Sequence, residues 1–373
     1  MKKQLGIYIH IPFCLKKCDY CDFCSFVGKS REYMSRYAAE LCRRIEAAGR
    51  TADGYTVDTV YFGGGTPSLM SSEDIKRILD AVRSCFDVAD GAEITLECNP
   101  ATADEKYFRE IRGLGVNRIS MGMQSAIDSE LKLLGRAHNR EEFWRCFADA
   151  RAAGFDNVSV DLMYGIPNQT QESLAESATF LTSLSPEHIS AYGLMIEDGT
   201  PFARRIDELR VADDDGQAEM YTYLCDALRR AGYERYEISN FSRKGRESRH
   251  NTRYWQGSEY IGFGVAAHSY FGGERYGNSR DIDAFMNGGD ICCEREVIDG
   301  DEMRREYVML RMRMREGIST RDYEERFSKD FWTDFPQARD WISQGFMTWC
   351  DGKVALTDKG ALVSNTLLSD MLS

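Results

Sequence analysis

Two patterns of hydrophobic and polar residues alternate along the first two thirds of the chain. The first is a set of short apolar, β-branched runs typical of buried strands, at residues 7–13, 59–64, 93–98, 118–124, 158–165 and 188–196. Between them, stretches such as REYMSRYAAELCRRIEAAG and SSEDIKRILDAVRSCF have the apolar spacing of amphipathic helices. Strand starts recur roughly every 25–50 residues, the length of a βαβ unit, so the pattern predicts a parallel sheet.

Six such units are too few to close an eight-stranded barrel. We therefore expect an α/β fold with a partial (β/α)6 TIM-like barrel, and a doubly wound sheet is the alternative. In both architectures ligands bind on the loops that follow the carboxyl ends of the strands. Candidate functional residues are accordingly sought there.

The pattern changes after about residue 240. Residues 241–297 are rich in Gly, Arg and aromatic side chains, and residues 298–373 contain helical patterns followed by FMTWCDGKVALT. Asp351 and Gly352 lie between two short β-like runs there, which is a hairpin signal. We expect three parts: a barrel over 1–240, a connecting segment over 241–297 and a smaller helical, winged-helix-like domain over 298–373.

Composition and charge narrow the class of protein. Hydrophobic residues make up 43% and charged residues 29%, as in an ordinary globular protein. The sequence has neither a bilayer-length apolar run nor a signal-peptide pattern at its start, and we expect a cytoplasmic protein without a transmembrane segment. The net charge of −13 argues against nucleic acid as a partner. It also disfavours a DNA-binding regulator built from the winged helix and a zinc knot.

Four cysteines lie close together in CLKKCDYCDFC, at Cys14, Cys18, Cys21 and Cys24. Four thiolates suit either Zn²⁺ or an iron-sulfur cluster, and the spacing alone does not decide between them. Structural zinc sites generally use two separated pairs of cysteines, and no second pair follows at zinc-like spacing. The other eight cysteines are scattered, and we expect most of them to be buried.

Other polar or glycine-rich positions follow the predicted strands. FGGGTP at 62–67 offers bare backbone to a ligand, although a glycine triplet alone is more often a turn. Glu97 ends the third strand, Gln124 ends the fourth, and Asp161 lies in the fifth. Each could cap a helix or pair with an arginine, but three at equivalent places favour a shared ligand.

The spacing C-x₃-C-x₂-C, with Tyr20 before the third cysteine, resembles the signature of the radical S-adenosylmethionine (SAM) superfamily. This resemblance implies that Cys14, Cys18 and Cys21 hold three irons of a [4Fe-4S] cluster while SAM chelates the fourth. Cys24 is then surplus and has no assigned role. The resemblance predicts a brown, oxygen-sensitive protein with a partial barrel of radical SAM type.

A closer resemblance extends over nearly the whole chain. YIHIPFC, FGGGTPS, MGMQS with Arg136 twelve residues on, DLMYGIPNQT and HNTRYW together resemble the family of oxygen-independent coproporphyrinogen III oxidases and the related HemW heme chaperones. Gln124, Arg136 and Asp161 match residues that surround a second SAM in the oxidase. The cofactor-binding residues that the resemblance implies are Tyr8, Tyr20, Gly64, Gly65, Thr66, Glu97, Gln124, Arg136 and Asp161.

Three features favour the chaperone branch of this family. Asp22 and Phe23 follow the third cysteine as in HemW, whereas the oxidase has x-Cys there. The oxidase carries an N-terminal extension, but this sequence starts seven residues before Tyr8. HNTRYW resembles the HemW motif H-N-x-x-Y-W, which makes His250 the candidate heme contact. Five basic residues lie between Arg243 and Arg253 and could bind propionates, or form a solvated basic loop.

The resemblance therefore implies a radical SAM protein that binds heme and delivers it to apo-proteins. The alternative is an oxygen-independent coproporphyrinogen III oxidase or another radical SAM enzyme acting on a tetrapyrrole. The implied partners are heme, an apo-hemoprotein acceptor and an electron donor for the cluster. A respiratory acceptor would bring the protein to the inner membrane as a peripheral partner. Whether SAM is cleaved is left open by the sequence.

GFGVAAHSY at 262–270 loosely resembles a nucleotide-binding loop. It lacks the strand-then-helix context that such a loop needs, so we do not assign it this role. His268 within it could be a second heme ligand, but we expect a buried, hydrogen-bonded histidine.

Overall fold

The computed structural model describes residues 2–49 and 52–372. Its strands, in chain order, are β1 Lys3–Ile11, β2 Phe13–Cys14, β3 Phe26–Val27, β4 Tyr55–Gly64, β5 Val88–Cys98, β6 Arg118–Gln124, β7 Val158–Tyr164, β8 His188–Gly193, β9 Glu234–Glu237, β10 Asn240–Ser242, β11 Tyr260–Phe263, β12 His268–Phe271, β13 Glu274–Asn278, β14 Cys292–Val297, β15 Ile318–Ser319, β16 Met347–Cys350 and β17 Lys353–Leu356.

The α-helices are α1 Arg31–Ala48, α2 Ser72–Cys85, α3 Glu105–Gly113, α4 Asp128–Leu133, α5 Arg140–Ala152, α6 Gln171–Ser183, α7 Pro201–Arg204, α8 Asp214–Arg230, α9 Arg249–Trp255, α10 Ile282–Met286, α11 Gly300–Arg311, α12 Thr320–Phe327, α13 Phe331–Asp334, α14 Gln337–Ser343, α15 Asp358–Leu362 and α16 Ser364–Leu372. No helix within the described ranges is both long enough and apolar enough to cross a membrane.

One large mixed sheet organises the molecule, with the strand order β14-β13-β12-β11-β1-β4-β5-β6-β7-β8-β10-β9. The strands from β11 to β8 in this order are mutually parallel, and the outer strands are antiparallel. The strand order is linear, so the barrel does not close. The six predicted strands are β1, β4, β5, β6, β7 and β8, which confirms the predicted α/β partial barrel.

The helices pack on the sheet through the faces that their apolar spacing predicts. In α1 the buried residues are Met34, Tyr37, Ala38, Leu41 and Ile45, which recur every three or four positions on one face. The Ser30 side chain accepts a hydrogen bond from the backbone N–H of Tyr33 and caps the first turn. Burying each large apolar side chain contributes about 1.5–3 kcal/mol, so this face holds the helix on the sheet.

Residues 241–297 are more than a linker between two units. They complete β10 near one end of the sheet and contribute β11 through β14 at the other, with β11 lying parallel to β1. β12 rather than a helix follows β11, which agrees with the rejection of a nucleotide loop. The prediction that His268 is buried is wrong, because it begins β12 with its side chain exposed. The boundaries at 240 and 297 stay predictions.

The C-terminal part of the chain has a hydrophobic cluster of its own, including Val308, Ile318, Tyr323 and Phe331. Its small antiparallel sheet has the order β15-β17-β16, and helices α11 to α16 surround it. The predicted hairpin is confirmed: Asp351 and Gly352, at φ of 51° and 74°, form its turn.

The prediction that most of the scattered cysteines are buried is wrong. Cys98, Cys146 and Cys225 are buried, whereas Cys42 and Cys85 are half-buried and Cys292, Cys293 and Cys350 are exposed. The exposed cysteines lie on β14 and beside the C-terminal hairpin turn. β14 is an edge strand of the large sheet, and all six of its side chains are exposed.

Candidate cofactor site at the carboxyl ends of the strands

The loop that carries the cysteines is held in place by strand pairing at its two ends and by backbone hydrogen bonds in between. Strands β2 and β3 pair in parallel, with Phe13 opposite Phe26, and so join the two ends of the loop. Further along, the Asp19 N–H donates to Leu134 O (3.1 Å), and Asp19 O accepts from the Phe202 N–H (3.0 Å). These contacts attach the loop to the segments that follow β6 and β8.

The glycines of FGGGTP let the end of β4 approach the start of the cysteine loop. The Gly65 N–H donates to Ile11 O (2.8 Å), and a Cβ at Gly65 would stand 2.8 Å from Phe13 O. Gly64 has a φ of +111°, and a Cβ there would overlap the His10 imidazole. Only glycine fits either position, so this motif has a packing role as well as its predicted cofactor role.

Eleven of the thirteen predicted site residues line one cavity of about 410 Å³. The cavity lies at the carboxyl ends of the barrel strands, where both predicted architectures place ligands. We call it the cysteine cavity. Those eleven residues are Cys14, Cys18, Tyr20, Cys21, Gly64, Gly65, Thr66, Glu97, Gln124, Arg136 and Asp161.

Two half-buried carboxyl groups, Glu97 and Asp161, face this cavity. Glu97 accepts hydrogen bonds from the Tyr61 hydroxyl (2.8 Å) and the Gly64 N–H (3.1 Å). Burial outweighs those bonds and, with the nearby charge of Asp161, raises the pKa of Glu97 to about 7. Burial likewise raises the pKa of Asp161 to about 6, although a hydrogen bond from Ser190 opposes the shift. Both groups are suited to a ligand that supplies compensating positive charge or donors.

Arg136 and Gln124 leave polar atoms without a protein partner in the cavity wall. Arg136 donates through Nη2 to Gly122 O (2.9 Å), and its Nη1 lies 3.6 Å from Cys18 Sγ. Its Nε and the Oε1 of Gln124 are buried and have no hydrogen-bond partner among the described residues. Gln124 also has a φ of +66°, a conformation uncommon for a non-glycine residue. Buried unpaired donors and acceptors are costly, so the cavity fits a polar ligand.

Three thiol side chains border the same cavity, and Thr66 Oγ1 donates to Cys14 Sγ (3.5 Å). Over residues 2–49 and 52–372 no three His, Cys, Asp or Glu side chains converge as around a single metal ion. A [4Fe-4S] cluster instead offers a separate iron to each thiolate. The fourth cysteine, Cys24, is buried in the main hydrophobic core and does not line the cavity.

Tyr8 and His250 do not line the cysteine cavity. The Tyr8 hydroxyl lies 3.0 Å from His10 Nδ1, and its ring stacks with that of Tyr61 at 6.2 Å between centroids. His250 is 1% exposed, and its ring nitrogens lie 2.9 Å from Thr59 Oγ1 and 2.8 Å from the Tyr254 hydroxyl. With both nitrogens engaged, His250 is a core residue here, and its contact with heme stays a prediction.

Burial, together with the charges of Arg253 and Arg118, lowers the pKa of His250 to about 3, so the ring is neutral at physiological pH. Part of the run of basic residues from Arg243 to Arg253 also points into the protein. Arg253 is 5% exposed and forms an ion pair with Asp58. This arrangement disagrees with a fully solvated basic loop.

Several residues in and next to the cavity wall were not predicted from the sequence. Tyr192 near the end of β8 accepts from Gln124 Nε2 (3.1 Å), and Ser120 of β6 and Ser190 of β8 hydrogen-bond Asp161. For β6 the alternation of side chains along a strand could have identified this wall, because it places Ser120, Gly122 and Gln124 on one face. Met195, which follows β8, also lines the cavity, and its side chain is exposed.

This fold and cavity define the chain as a radical SAM protein. Residues 8–181 match the model of the Radical SAM superfamily, and residues 298–363 match that of the HemN C-terminal domain. The solved structure of coproporphyrinogen III oxidase (HemN) from Escherichia coli superposes with a TM-score of 0.87, covering 100% of this chain and 91% of that one. At 22% identity this likeness shows the fold alone.

Curated relatives identify the family within that class. Heme chaperone HemW of Mycobacterium tuberculosis (strain H37Rv) is 34% identical over 99% of this chain and 95% of its own length. Heme chaperone HemW of Bacillus subtilis is 33% identical, with 98% of each chain covered. That of Escherichia coli is 34% identical over 99% of this chain and 98% of its own. The chain belongs to the HemW family.

Membership of the radical SAM class implies a [4Fe-4S] cluster and SAM as cofactors. The residues present fit them. Three thiols border the cysteine cavity, and the unpartnered atoms of Arg136 and Gln124 offer a hydrogen-bond donor and acceptor to a zwitterionic ligand.

Proposed function

We propose that this protein is a heme chaperone, which binds heme and delivers it to apo-hemoproteins. The observation that carries the proposal is sequence identity of 33–34% over nearly full length to relatives named heme chaperone HemW. By contrast, the likeness to coproporphyrinogen III oxidase is one of fold. The acceptor would include a respiratory apo-hemoprotein at the inner membrane, with the chaperone as its peripheral partner.

In this proposal the cysteine cavity holds both cofactors. Cys14, Cys18 and Cys21 bind the cluster, and Cys24 stays in the core. When bound, the cluster would supply the electron that radical SAM chemistry requires, and an external electron donor would reduce it again. Arg136 places a fixed positive charge beside Cys18, while Glu97 and Asp161 accept from donors of the bound SAM. Tyr8 lies outside the cavity wall with its hydroxyl beside His10, and its contact with SAM stays a prediction.

The test is anaerobic reconstitution of the cluster, followed by addition of SAM and of either heme or coproporphyrinogen III. We expect heme uptake, seen as a Soret band, and its transfer to an apo-hemoprotein with the tetrapyrrole unchanged. SAM cleavage is measured in the same reactions by the release of 5′-deoxyadenosine. Purified protein that takes up no heme would refute the proposal.

The second candidate function is oxidative decarboxylation of coproporphyrinogen III. The observation in its favour is the superposition on the oxidase across both the barrel and the C-terminal part. Formation of decarboxylated product, detected by mass spectrometry, would establish it. Retention of intact coproporphyrinogen III together with heme transfer would leave the chaperone as the function.

A further inference from the structure

A second cavity, of about 300 Å³, lies between the barrel and the C-terminal helices. Its volume is at the lower end of the range of small-molecule pockets, about 300–1,000 Å³. Tyr254 and Trp255 at the end of α9 line one side, Tyr260 and Tyr270 of β11 and β12 a second, and Tyr307 of α11 a third. We call it the aromatic cavity.

The walls of the aromatic cavity suit a flat, apolar ring system. Tyr254 and Tyr260 meet edge to face with 4.6 Å between ring centroids, and Tyr260 is the cross-strand partner of Tyr270. Aromatic rings that stack or meet edge-on contribute about 0.5–1.5 kcal/mol beyond the area they bury. Leu310 adds an aliphatic surface. A porphyrin presents the broad π-face that such walls accommodate.

Polar groups in this cavity lack partners in the part of the chain that the structure describes. Trp255 Nε1 is buried without a hydrogen bond. The hydroxyls of Tyr260, Tyr270 and Tyr307 form no hydrogen bond there, whereas the Tyr254 hydroxyl binds His250. Phenol oxygens and the thioether of Met303, which also lines the cavity, belong to the groups that ligate heme iron in proteins.

Two arginines at the cavity supply positive charge. Arg326 stacks over the ring of Tyr307 at 5.0 Å and forms no ion pair with any described carboxylate. Arg275 is already paired with Glu306 (2.6 Å) and Glu296 (3.1 Å). The guanidinium of Arg326 is therefore free to bind one propionate of heme, because a guanidinium can donate two parallel hydrogen bonds to a carboxylate.

The other large cavities are less suitable for heme. A cavity of about 850 Å³ at the opposite end of the barrel from the cysteines includes four arginines, Arg235, Arg246, Arg249 and Arg315. Five carboxylates outnumber these arginines in its lining and would oppose propionates, namely Glu93, Asp156, Glu234, Glu247 and Glu316. Its lining includes one aromatic residue, Tyr236, whereas the aromatic cavity has one carboxylate, Glu306, which Arg275 neutralises. The cysteine cavity is assigned above to the cluster and SAM.

We propose that the aromatic cavity receives one edge of the heme, with Arg326 binding a propionate and the tyrosines of α9, β11, β12 and α11 packing against the ring, because a cavity of about 300 Å³ is too small to enclose a whole heme. This proposal rests on the proposed chaperone function and names its cargo site. It assigns Tyr254 and Trp255, the last two residues of the HNTRYW motif, to heme contact. His250 then acts through its hydrogen bond to the Tyr254 hydroxyl as a positioning residue.

The experiment is titration of the full chain with hemin, followed by the Soret band, for the wild type, Arg326→Glu and Tyr270→Ala. Arg321→Glu is the matched control, because Arg321 is exposed on the same helix but does not line the cavity. We expect both cavity variants to weaken heme binding by about tenfold or more, as loss of a charge-assisted contact or an aromatic wall predicts. Arg321→Glu should bind as the wild type does.

Reconstituted iron content and circular dichroism verify that the variants fold. Wild-type protein that bound heme together with cavity variants that bound it equally well would overturn this site and leave the chaperone function standing. Loss of heme binding in a further variant, His250→Ala, with Arg326→Glu and Tyr270→Ala unaffected, would move the site to His250. If the wild type itself bound no heme, the proposed function would fail, and this inference would fail with it.

Discussion

The cysteine motif and the HNTRYW motif are both short and both contain a residue type that commonly ligates metals, yet the fold uses them differently. The loop from Cys14 to Cys21 stands at the carboxyl ends of the strands and borders a cavity. HNTRYW forms α9, and its histidine lies inside the barrel with both ring nitrogens engaged. A metal-ligating residue type predicts a ligand only when the backbone leaves that side chain facing open space.

The largest expected effect tests the cysteine side of this comparison. Cys18→Ala should lower the iron of anaerobically reconstituted protein from about four per chain to nearly none, because a cluster needs its thiolates. Iron and acid-labile sulfide are measured together with visible absorbance. Cys24→Ala is the matched control and should retain the cluster, since Cys24 lies in the core. Equal iron loss in both variants, or zinc in the wild type, would contradict the proposed ligand set.

The next effect concerns the histidine of α9. His250→Ala should reduce the free energy of unfolding by about 2–4 kcal/mol, because it opens a cavity and leaves Thr59 and Tyr254 unpaired. Chemical denaturation of the cofactor-free protein measures it. His268→Ala, on an exposed histidine, should change stability by less than about 0.5 kcal/mol. An unchanged stability for His250→Ala would show that its buried contacts contribute little.

A smaller effect should appear in the pH dependence of stability. The pKa of Glu97 is about 7 in the folded protein against an ordinary 4.5, so the folded state binds more protons between those values. The stability of the cofactor-free protein therefore falls as pH rises through this window.

Glu97→Gln should remove that decline and add about 1–3 kcal/mol at pH 8, as the shift implies. Unfolding is measured from pH 4.5 to 8 in the absence of cofactors. Glu324→Gln, on an exposed glutamate of α12, is the control and should keep the wild-type slope. A slope retained by Glu97→Gln would assign the decline to other groups, Asp161 first among them.

The smallest effect concerns the ion pair that joins the cysteine loop to residues 241–297. Arg280 Nη2 lies 3.5 Å from Asp22 Oδ2, and both side chains are largely exposed. Arg280→Ala and Asp22→Asn should each alter the free energy of unfolding by less than about 0.5 kcal/mol, because solvent screens such pairs. A larger loss, measured by chemical denaturation, would indicate that the loop depends on this contact for its position.

The sequence predicted those parts of the molecule that depend on local pattern. The six barrel strands, α1, α2 and the Asp351–Gly352 hairpin follow from apolar periodicity and turn chemistry. The residues of the cysteine cavity also came from the sequence, because parallel strands bring their carboxyl ends to one edge. Their roles as ligands stay predictions.

Other features depend on long-range packing that no local pattern encodes. β11 joins the sheet beside β1 although Ile261 lies 254 residues after its partner Ile7 in the sequence, and residues 241–297 were therefore predicted to be a connecting segment. The burial of His250 results from Thr59 and Tyr61 of β4 packing against α9. The predictions for Cys292, Cys293 and Cys350 were wrong because these cysteines lie on the edge strands β14 and β16, and edge strands expose residue types that are usually buried. His268 lies on the interior strand β12, at an exposed position that the sequence pattern did not indicate.

The open sheet leaves β14 with one row of backbone groups unpaired by any described strand. Such an edge can template the addition of strands from other molecules, which leads to aggregation. The centre of β14 carries Glu294, Arg295 and Glu296, and charged side chains on an edge oppose association between copies. This charged triplet therefore opposes edge-to-edge strand pairing, and a chain that carried valines in its place would be prone to form intermolecular β-structure.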